Sequence, residues 1–190
     1  MIDASRIWFR PLRESDLPLL WEWLRKPDVA RWYGPVPENF AQVQGKYLPR
    51  LHVDSNVHCY LAFEGDRPVG YLQHYFIVSE PEYARALDVD PAAVGIDLFI
   101  GEDTHRHRGF GPEMLRAFVE QVVFADDRVT CAIIAPGVSN TVAIRAYEKA
   151  GFRHVKTVRI PGARSPEHVM MLWPDELDDW IATREGLIPE

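Results

Sequence analysis

Hydrophobic positions change period several times along the chain, and each change predicts an element. Ile7 to Arg10 reads as a short strand. Leu17, Leu20, Trp21 and Leu24 recur at helical spacing until Pro27 stops the run. A second helical segment is expected within Phe40 to Leu51. Val57 to Glu64 and Val69 to Val78 are β-rich runs around Gly65, Asp66, Arg67 and Pro68, which predicts an antiparallel hairpin at the centre of a sheet. Ser79 to Ala93 has no clear periodicity and is broken by Pro81 and Pro91, so a long surface loop is expected there. Val94, Ile96, Leu98 and Ile100 alternate with Gly95, Asp97, Phe99 and Gly101, the pattern of a strand with one apolar face. A glycine-punctuated basic segment then feeds a helix from about Gly109 to Phe124, with Met114, Leu115, Phe118, Val119 and Val122 on its apolar side. Val129 to Ala135 reads as a buried strand. Ser139 or Asn140 is placed to cap a helix that Gly151 ends. Phe152 to Ile160 and His168 to Trp173 form a last hairpin around Pro161 and Gly162, and Asp175 to Thr183 makes an acid-started closing helix. The order is that of an α+β protein with a mixed sheet.

Length and charge narrow the class. A chain of 190 residues buries about 70% of the surface its unfolded form exposes and needs no disulfide or metal staple. No repeat or linker divides it, so a single domain over residues 1–190 is expected. The formal net charge of −7 repels phosphate backbones and anionic lipid, which disfavours nucleic acid and membrane surfaces and favours a cationic partner. No apolar run approaches the roughly 20 residues of a spanning helix, and the N-terminal residues lack a sustained apolar stretch, so a cytoplasmic location is expected. Cys59 and Cys131 each sit in an apolar β-like run, as reduced, packed thiols do.

The chemistry concentrates between a strand and an amphipathic helix, in Arg106, His107, Arg108, Gly109, Phe110 and Gly111. Glycines there let the backbone turn so that successive N–H groups and a helix N-terminus face one point, which is how a pyrophosphate is held. No Gly-Lys-Ser/Thr follows, so it is not a Walker loop. A carboxylate inside a strand needs a reason, and Asp97 reads either as a solvated edge position or structural hydrogen bond, or, beside such a loop, as a group placed to take a proton from an ammonium. Tyr147 reads equally as a core aromatic and as a phenol able to donate a proton at neutral pH. Glu80, Glu82, Asp88, Asp90 and Asp97 stand against one Arg85, a run that is a solvated surface or a trap for a polycation. His105 and His107, near Glu102 and Asp103, lack a zinc-like ligand set, so no metal is expected.

Arg106, Gly109 and Gly111 fill the Arg/Gln-x-x-Gly-x-Gly/Ala pattern, and Asn140, Ala143, Ile144, Tyr147, Glu148, Gly151 and Phe152 form a second signature downstream. By these motifs the chain resembles the GNAT superfamily of acyl-coenzyme A N-acyltransferases. Asp16, Trp21 to Leu24, Arg31 to Gly34, Tyr47 to Pro49, Pro68 to Tyr75, Asp90, Pro91 and Gly95 to Asp97 narrow the resemblance to aminoglycoside 6'-N-acetyltransferases over most of the chain. The resemblance implies the GNAT fold, a central mixed, mostly antiparallel twisted sheet flanked by helices. It also implies acetyl-coenzyme A as cofactor, an aminoglycoside as the cationic substrate, and antibiotic resistance as the outcome.

Residue by residue, it implies Asp97 as general base and Tyr147 as general acid. Phe99, Ile100, residues 106 to 111, Asn140, Ala143 and Tyr147 would hold the cofactor. Trp32, Tyr33, Tyr71, Gln73, Tyr75, Glu82 and Asp97 would meet the substrate. The chain departs from those enzymes at Ala135 and Pro136, where they carry Asp-Pro, and at Ala84 and Arg85, where they carry a tryptophan pair. Related GNAT enzymes acylate siderophore precursors or lysine, which leaves a different amine or hydroxylamine as the alternative substrate.

Overall fold

The computed structural model describes residues 6–160 and 165–184. Seven strands form one mixed sheet in the order β1-β2-β3-β4-β5-β7-β6: β1 Ile7–Pro11, β2 His58–Glu64, β3 Arg67–Phe76, β4 Val94–Ile100, β5 Ala132–Ile134, β6 Arg153–Val158 and β7 Glu167–Leu172. The β1–β2, β2–β3, β5–β7 and β6–β7 pairings are antiparallel and β4–β5 is parallel. The middle strand is therefore β4, and the β2–β3 hairpin expected at the centre lies to one side of it. The chain divides into two compact units, Met1–Tyr75 with Ile96–Met114, and Phe76–Gly95 with Leu115–Glu190.

In the first unit, α1 (Leu17–Leu24) turns Leu17, Leu20, Trp23 and Leu24 inward; the spacing predicts Trp21 in the place that Trp23 takes, and Trp21 packs only partly buried at the edge of the same core. Pro27 ends that run and also opens α2 (Pro27–Ala30), since its missing N–H costs nothing at a first helical position. In α3 (Phe40–Tyr47) the Asn39 carboxamide accepts from the Gln42 N–H, and a 3₁₀ turn, Leu48–Leu51, follows. Gly65, at φ +59°, makes the β2–β3 turn. Pro68 pairs where the ladder slips a register beside Phe63, a place that requires no proline N–H. Cys59, Leu61 and Phe63 from β2, with Tyr71 from β3 and Phe99 from β4, join the α1 and α3 side chains in one core. Phe99 is buried although it alternates with Ile96, Leu98 and Ile100, so β4 is covered on both faces rather than on one.

In the second unit the stretch expected to be a loop contains a 3₁₀ turn, Ile77–Ser79, and a helix, α4 (Pro81–Leu87). Pro81 starts this helix instead of breaking it, Leu87 is its buried anchor, and Asp88 closes it at φ +46°. The expected strand at 129–135 shrinks to the three residues of β5, which pair with β4 only at Val94–Ala132 and Gly95–Ile133. α5 (Phe110–Phe118) runs from the first unit into the second and widens into a π-helical turn, Val119–Val123. α6 (Thr141–Lys149) is capped by Asn140, not Ser139, and ends at Gly151 with φ +100°. The proline-glycine turn of the last hairpin lies outside the described residues. α7 (Pro174–Arg184) closes the chain.

Candidate active site

Asp97 lies on β4 in the first unit, half-buried, and Gln73 on β3 donates from Nε2 to its Oδ2 at 2.8 Å. The Gln73 side chain is itself buried, and its Oε1 accepts from Arg50 Nη1 at 2.6 Å and from the Tyr71 hydroxyl at 2.8 Å. The Tyr71 oxygen also lies 2.9 Å from Cys59 Sγ. Burial holds the Asp97 carboxyl above the usual carboxylate range, and the Gln73 bond and the Arg50 and Lys46 charges oppose that rise. A carboxylate of raised basicity is what proton removal from an ammonium requires.

Around it stand aromatic rings. Tyr33 meets Phe99 edge-on at 4.7 Å and Tyr71 at 6.0 Å, and Tyr71 stacks on Phe99 at 5.5 Å. The Lys46 ammonium lies 5.8 Å from the Tyr33 centroid and 5.3 Å from that of Tyr47. Burial pushes the Lys46 ammonium down, and the like charge of Arg50 adds to it. A concavity beside them is floored by Leu24, Val36, Val43 and Tyr47, with Gln42 and Lys46 as its polar edge.

The expected substrate residues thus divide by exposure. Trp32 is 44% exposed under the Arg31 guanidinium, Tyr33 and Tyr75 are half-buried, and Tyr71 is fully buried. Tyr71 has no ring face left for a sugar, and what it offers the site is the hydroxyl bonded to Gln73.

The glycine loop is also in the first unit. His107 at φ +58° and Gly109 at φ +81° turn the chain sharply ahead of α5. Among the described residues the His107, Arg108 and Gly109 N–H groups have no hydrogen-bond partner, and a Cβ at Gly109 would meet nothing within 4 Å. Such a loop fits a pyrophosphate.

Arg106, expected among the residues that hold the cofactor, turns its guanidinium to the protein's own acceptors. Its Nε donates to the Ile100 carbonyl at 3.1 Å, and Nη1 lies 2.9 Å from Asp28 and 3.1 Å from Asp103. Lys26 donates to the Gly101 carbonyl at 2.8 Å, and Trp23 Nε1 to Glu102 at 3.0 Å. A Cβ on Gly101 would sit 2.1 Å from the Trp23 ring, so only glycine lets the loop leave β4 here. The Phe99 ring is in the core, Ile100 is half-buried and Arg108 is exposed. His105 is taken by Glu64 at 3.0 Å, and among the described residues no three His, Cys, Asp or Glu side chains converge as metal ligands.

The second unit holds the remaining candidates. Asn140 Oδ1 accepts from the Ala143 N–H at 3.2 Å, so these two secure the start of α6. Tyr147 is half-buried on α6 rather than in the core. Glu82 is exposed in the first turn of α4. The Pro136 carbonyl accepts from the His168 N–H at 2.8 Å.

Arg50 and Lys46 were not among the residues that the sequence patterns single out. Their signal is the spacing of four, which brings two cations to one face around Tyr47. Both act on the Asp97 carboxyl through charge, and neither makes a contact ion pair among the described residues.

The family model for the acetyltransferase (GNAT) domain matches residues 13–160. An aminoglycoside N(6')-acetyltransferase type 1 from Klebsiella pneumoniae is 34% identical over 157 residues, 82% of this chain and 78% of that protein. The solved structure of aminoglycoside acetyltransferase AAC(6')-Ib with coenzyme A and kanamycin superposes with a TM-score of 0.82 at 32% identity, covering 91% of this chain and 98% of that one. The N(6)-hydroxylysine O-acetyltransferase of Escherichia coli is 24% identical over 80% of this chain and 47% of that protein.

Proposed function

Because the chain belongs to the acetyltransferase (GNAT) family, we propose that it is an acetyl-coenzyme A-dependent aminoglycoside 6'-N-acetyltransferase, a cytoplasmic resistance enzyme acting as one domain. The observation that carries this reading is Asp97, a carboxylate on a sheet strand, made more basic by burial and held by Gln73. Likeness to an enzyme whose complex contains kanamycin and coenzyme A supports the substrate and the cofactor.

The residues present fit the cofactor. The unpartnered His107, Arg108 and Gly109 N–H groups would hold the pyrophosphate with the Phe110 and Gly111 N–H groups at the start of α5. Phe99, Ile100, Asn140 and Ala143 would line the rest of its path. When bound, acetyl-coenzyme A supplies an activated acetyl thioester. Asp97 takes a proton from the acceptor ammonium, because only a neutral nitrogen has a lone pair to attack with. Tyr147 Oη is the donor for the departing sulfur. Glu82 attracts the cationic acceptor, and Trp32, Tyr33 and Tyr75 offer faces to its rings.

A second reading, acylation of a different amine or hydroxylamine, is favoured by Lys46 and Arg50. Two cations near Asp97, neither in a contact ion pair among the described residues, repel a polycation and would balance an acceptor that carries its own carboxylate. Thiol release measured with kanamycin and with N6-hydroxylysine separates the two. The first reading requires turnover with kanamycin, with a raised KM in Glu82→Gln. Turnover with hydroxylysine alone overturns it.

A further inference from the structure

We propose that Arg50 is a positioning residue that dictates which way the Gln73 carboxamide faces, and so leaves Asp97 Oδ1 as the atom that receives the acceptor's proton. The inference rests on the reading of Asp97 as general base only in its last step. The orientation itself follows from which groups are able to donate.

A guanidinium has donors and no acceptor. At 2.6 Å from Arg50 Nη1, the Gln73 atom must be the oxygen, since an NH₂ group there would set donor against donor. Gln73 Oε1 has no proton, so the Tyr71 hydroxyl, 2.8 Å away, spends its one hydrogen on it. Tyr71 then has only lone pairs left for Cys59, and the thiol donates to the phenol across 2.9 Å. The proton order from β2 to β3 is thereby set: Cys59 to Tyr71, Tyr71 to Gln73, Arg50 to Gln73.

With its oxygen occupied, Gln73 turns its NH₂ toward Asp97 and donates to Oδ2 at 2.8 Å. A carboxylate accepts that bond, whereas a carboxylic acid with its proton on Oδ2 would meet a second donor. The contact therefore favours the ionised form against the burial that disfavours it. Among the described residues Oδ2 is the Asp97 oxygen with a hydrogen bond, so the lone pairs of Oδ1 are left for an incoming ammonium. The charged and titratable groups facing Asp97 are Arg50 from the 3₁₀ turn, Lys46 and Tyr47 from α3, and Tyr33. Of these four, Arg50 is the one hydrogen-bonded to Gln73 among the described residues.

Without Arg50 the carboxamide is free to turn over. Its oxygen would then face Asp97 and its NH₂ the Tyr71 hydroxyl, which is able to accept. The acid form of Asp97 would gain a hydrogen-bond acceptor, and the carboxylate would lose its donor and a neighbouring positive charge.

The experiment follows the Asp97 carboxyl by ¹³C NMR titration of the substrate-free protein, assigned with Asp97→Asn, in wild type, Arg50→Met and Arg50→Lys. The midpoint in Arg50→Met is expected to rise by about one pH unit or more, and Arg50→Lys to recover at least half of that shift, because an ammonium also only donates. In Gln73→Leu, which has no amide to turn, adding Arg50→Met leaves only the loss of charge and is expected to shift the midpoint less. Turnover tested in parallel with acetyl-coenzyme A and kanamycin should fall about tenfold more at about pH 6 than at about pH 8 in Arg50→Met. An unmoved midpoint in folded Arg50→Met, or equal shifts with and without Gln73, overturns the proposal. Full activity in Asp97→Asn would instead remove the general-base reading and leave the titration result standing.

Discussion

Arg106 distinguishes a strap within the loop from a direct phosphate ligand, and Arg106→Met tests which it is. In the structure its head joins the Ile100 carbonyl to Asp28 and Asp103, with its own side chain only 13% exposed. The two carboxylates are 70% and 69% exposed, so each regains water in the variant, and each ion pair contributes about 0–1 kcal/mol. The charge-assisted bond to the Ile100 carbonyl contributes about 1.5–3 kcal/mol. The 3.4 Å approach to the Gly101 carbonyl adds little, because Lys26 already serves that oxygen. Together these predict a loss of roughly 2–4 kcal/mol in urea-unfolding free energy.

Releasing the loop should also weaken coenzyme A binding about tenfold by calorimetry, as the site loses pre-organisation. Added salt should weaken binding in parallel in both proteins, since the Arg106 charge is already neutralised by Asp28 and Asp103. The opposite outcome is stability within about 0.5 kcal/mol of wild type while affinity and its salt dependence both fall. That pattern would make Arg106 a ligand of the phosphates.

Asp97→Asn should lower kcat by roughly 10²-fold while leaving stability at neutral pH equal or higher. The raised carboxyl means that the fold disfavours the ionised form, so wild-type stability falls as pH rises from the unfolded carboxylate range through the folded one; urea unfolding across pH should show that slope vanish in the variant. Tyr147→Phe should lower kcat by roughly 10²-fold in steady-state assays with little change in KM, and an unchanged kcat would reduce Tyr147 to packing. Gly109→Val meets no clash but forces a β-branched residue into φ +81°, at a cost of about 1–2 kcal/mol or more, and should raise the coenzyme A dissociation constant about tenfold by calorimetry.

Much of the site was legible where a residue type conflicts with its surroundings. Asp97 stands out because strands seldom carry a carboxylate, and Gly109 because a strand-to-helix loop needs positive φ; both conflicts are local, so a linear pattern displays them. Gln73 and Tyr71 were legible as candidates, but nothing local says that one is wholly buried and the other bonded to Asp97. Arg50 lies 23 positions from Gln73, and its role exists only because β3 and the 3₁₀ turn meet.

The strongly periodic elements, among them α1, the β2–β3 hairpin, β4 and α5, are legible in the sequence, since periods of two and of 3.6 are properties of the backbone and the apolar pattern must match them. So are a cap for α6 at Ser139 or Asn140, between which the structure selects Asn140, and the turn at Gly65, which depend on side chains a few residues apart. Tertiary structure alone decided that β4 takes the middle of the sheet, that Pro81 begins a helix with Leu87 as its anchor, and that Phe99 is buried opposite its apolar neighbours. It decided too that Arg106 turns inward to Asp28 and that Arg50 orients Gln73. Those outcomes depend on which surfaces meet across long separations in the chain, where burial and donor–acceptor matching outweigh local preference.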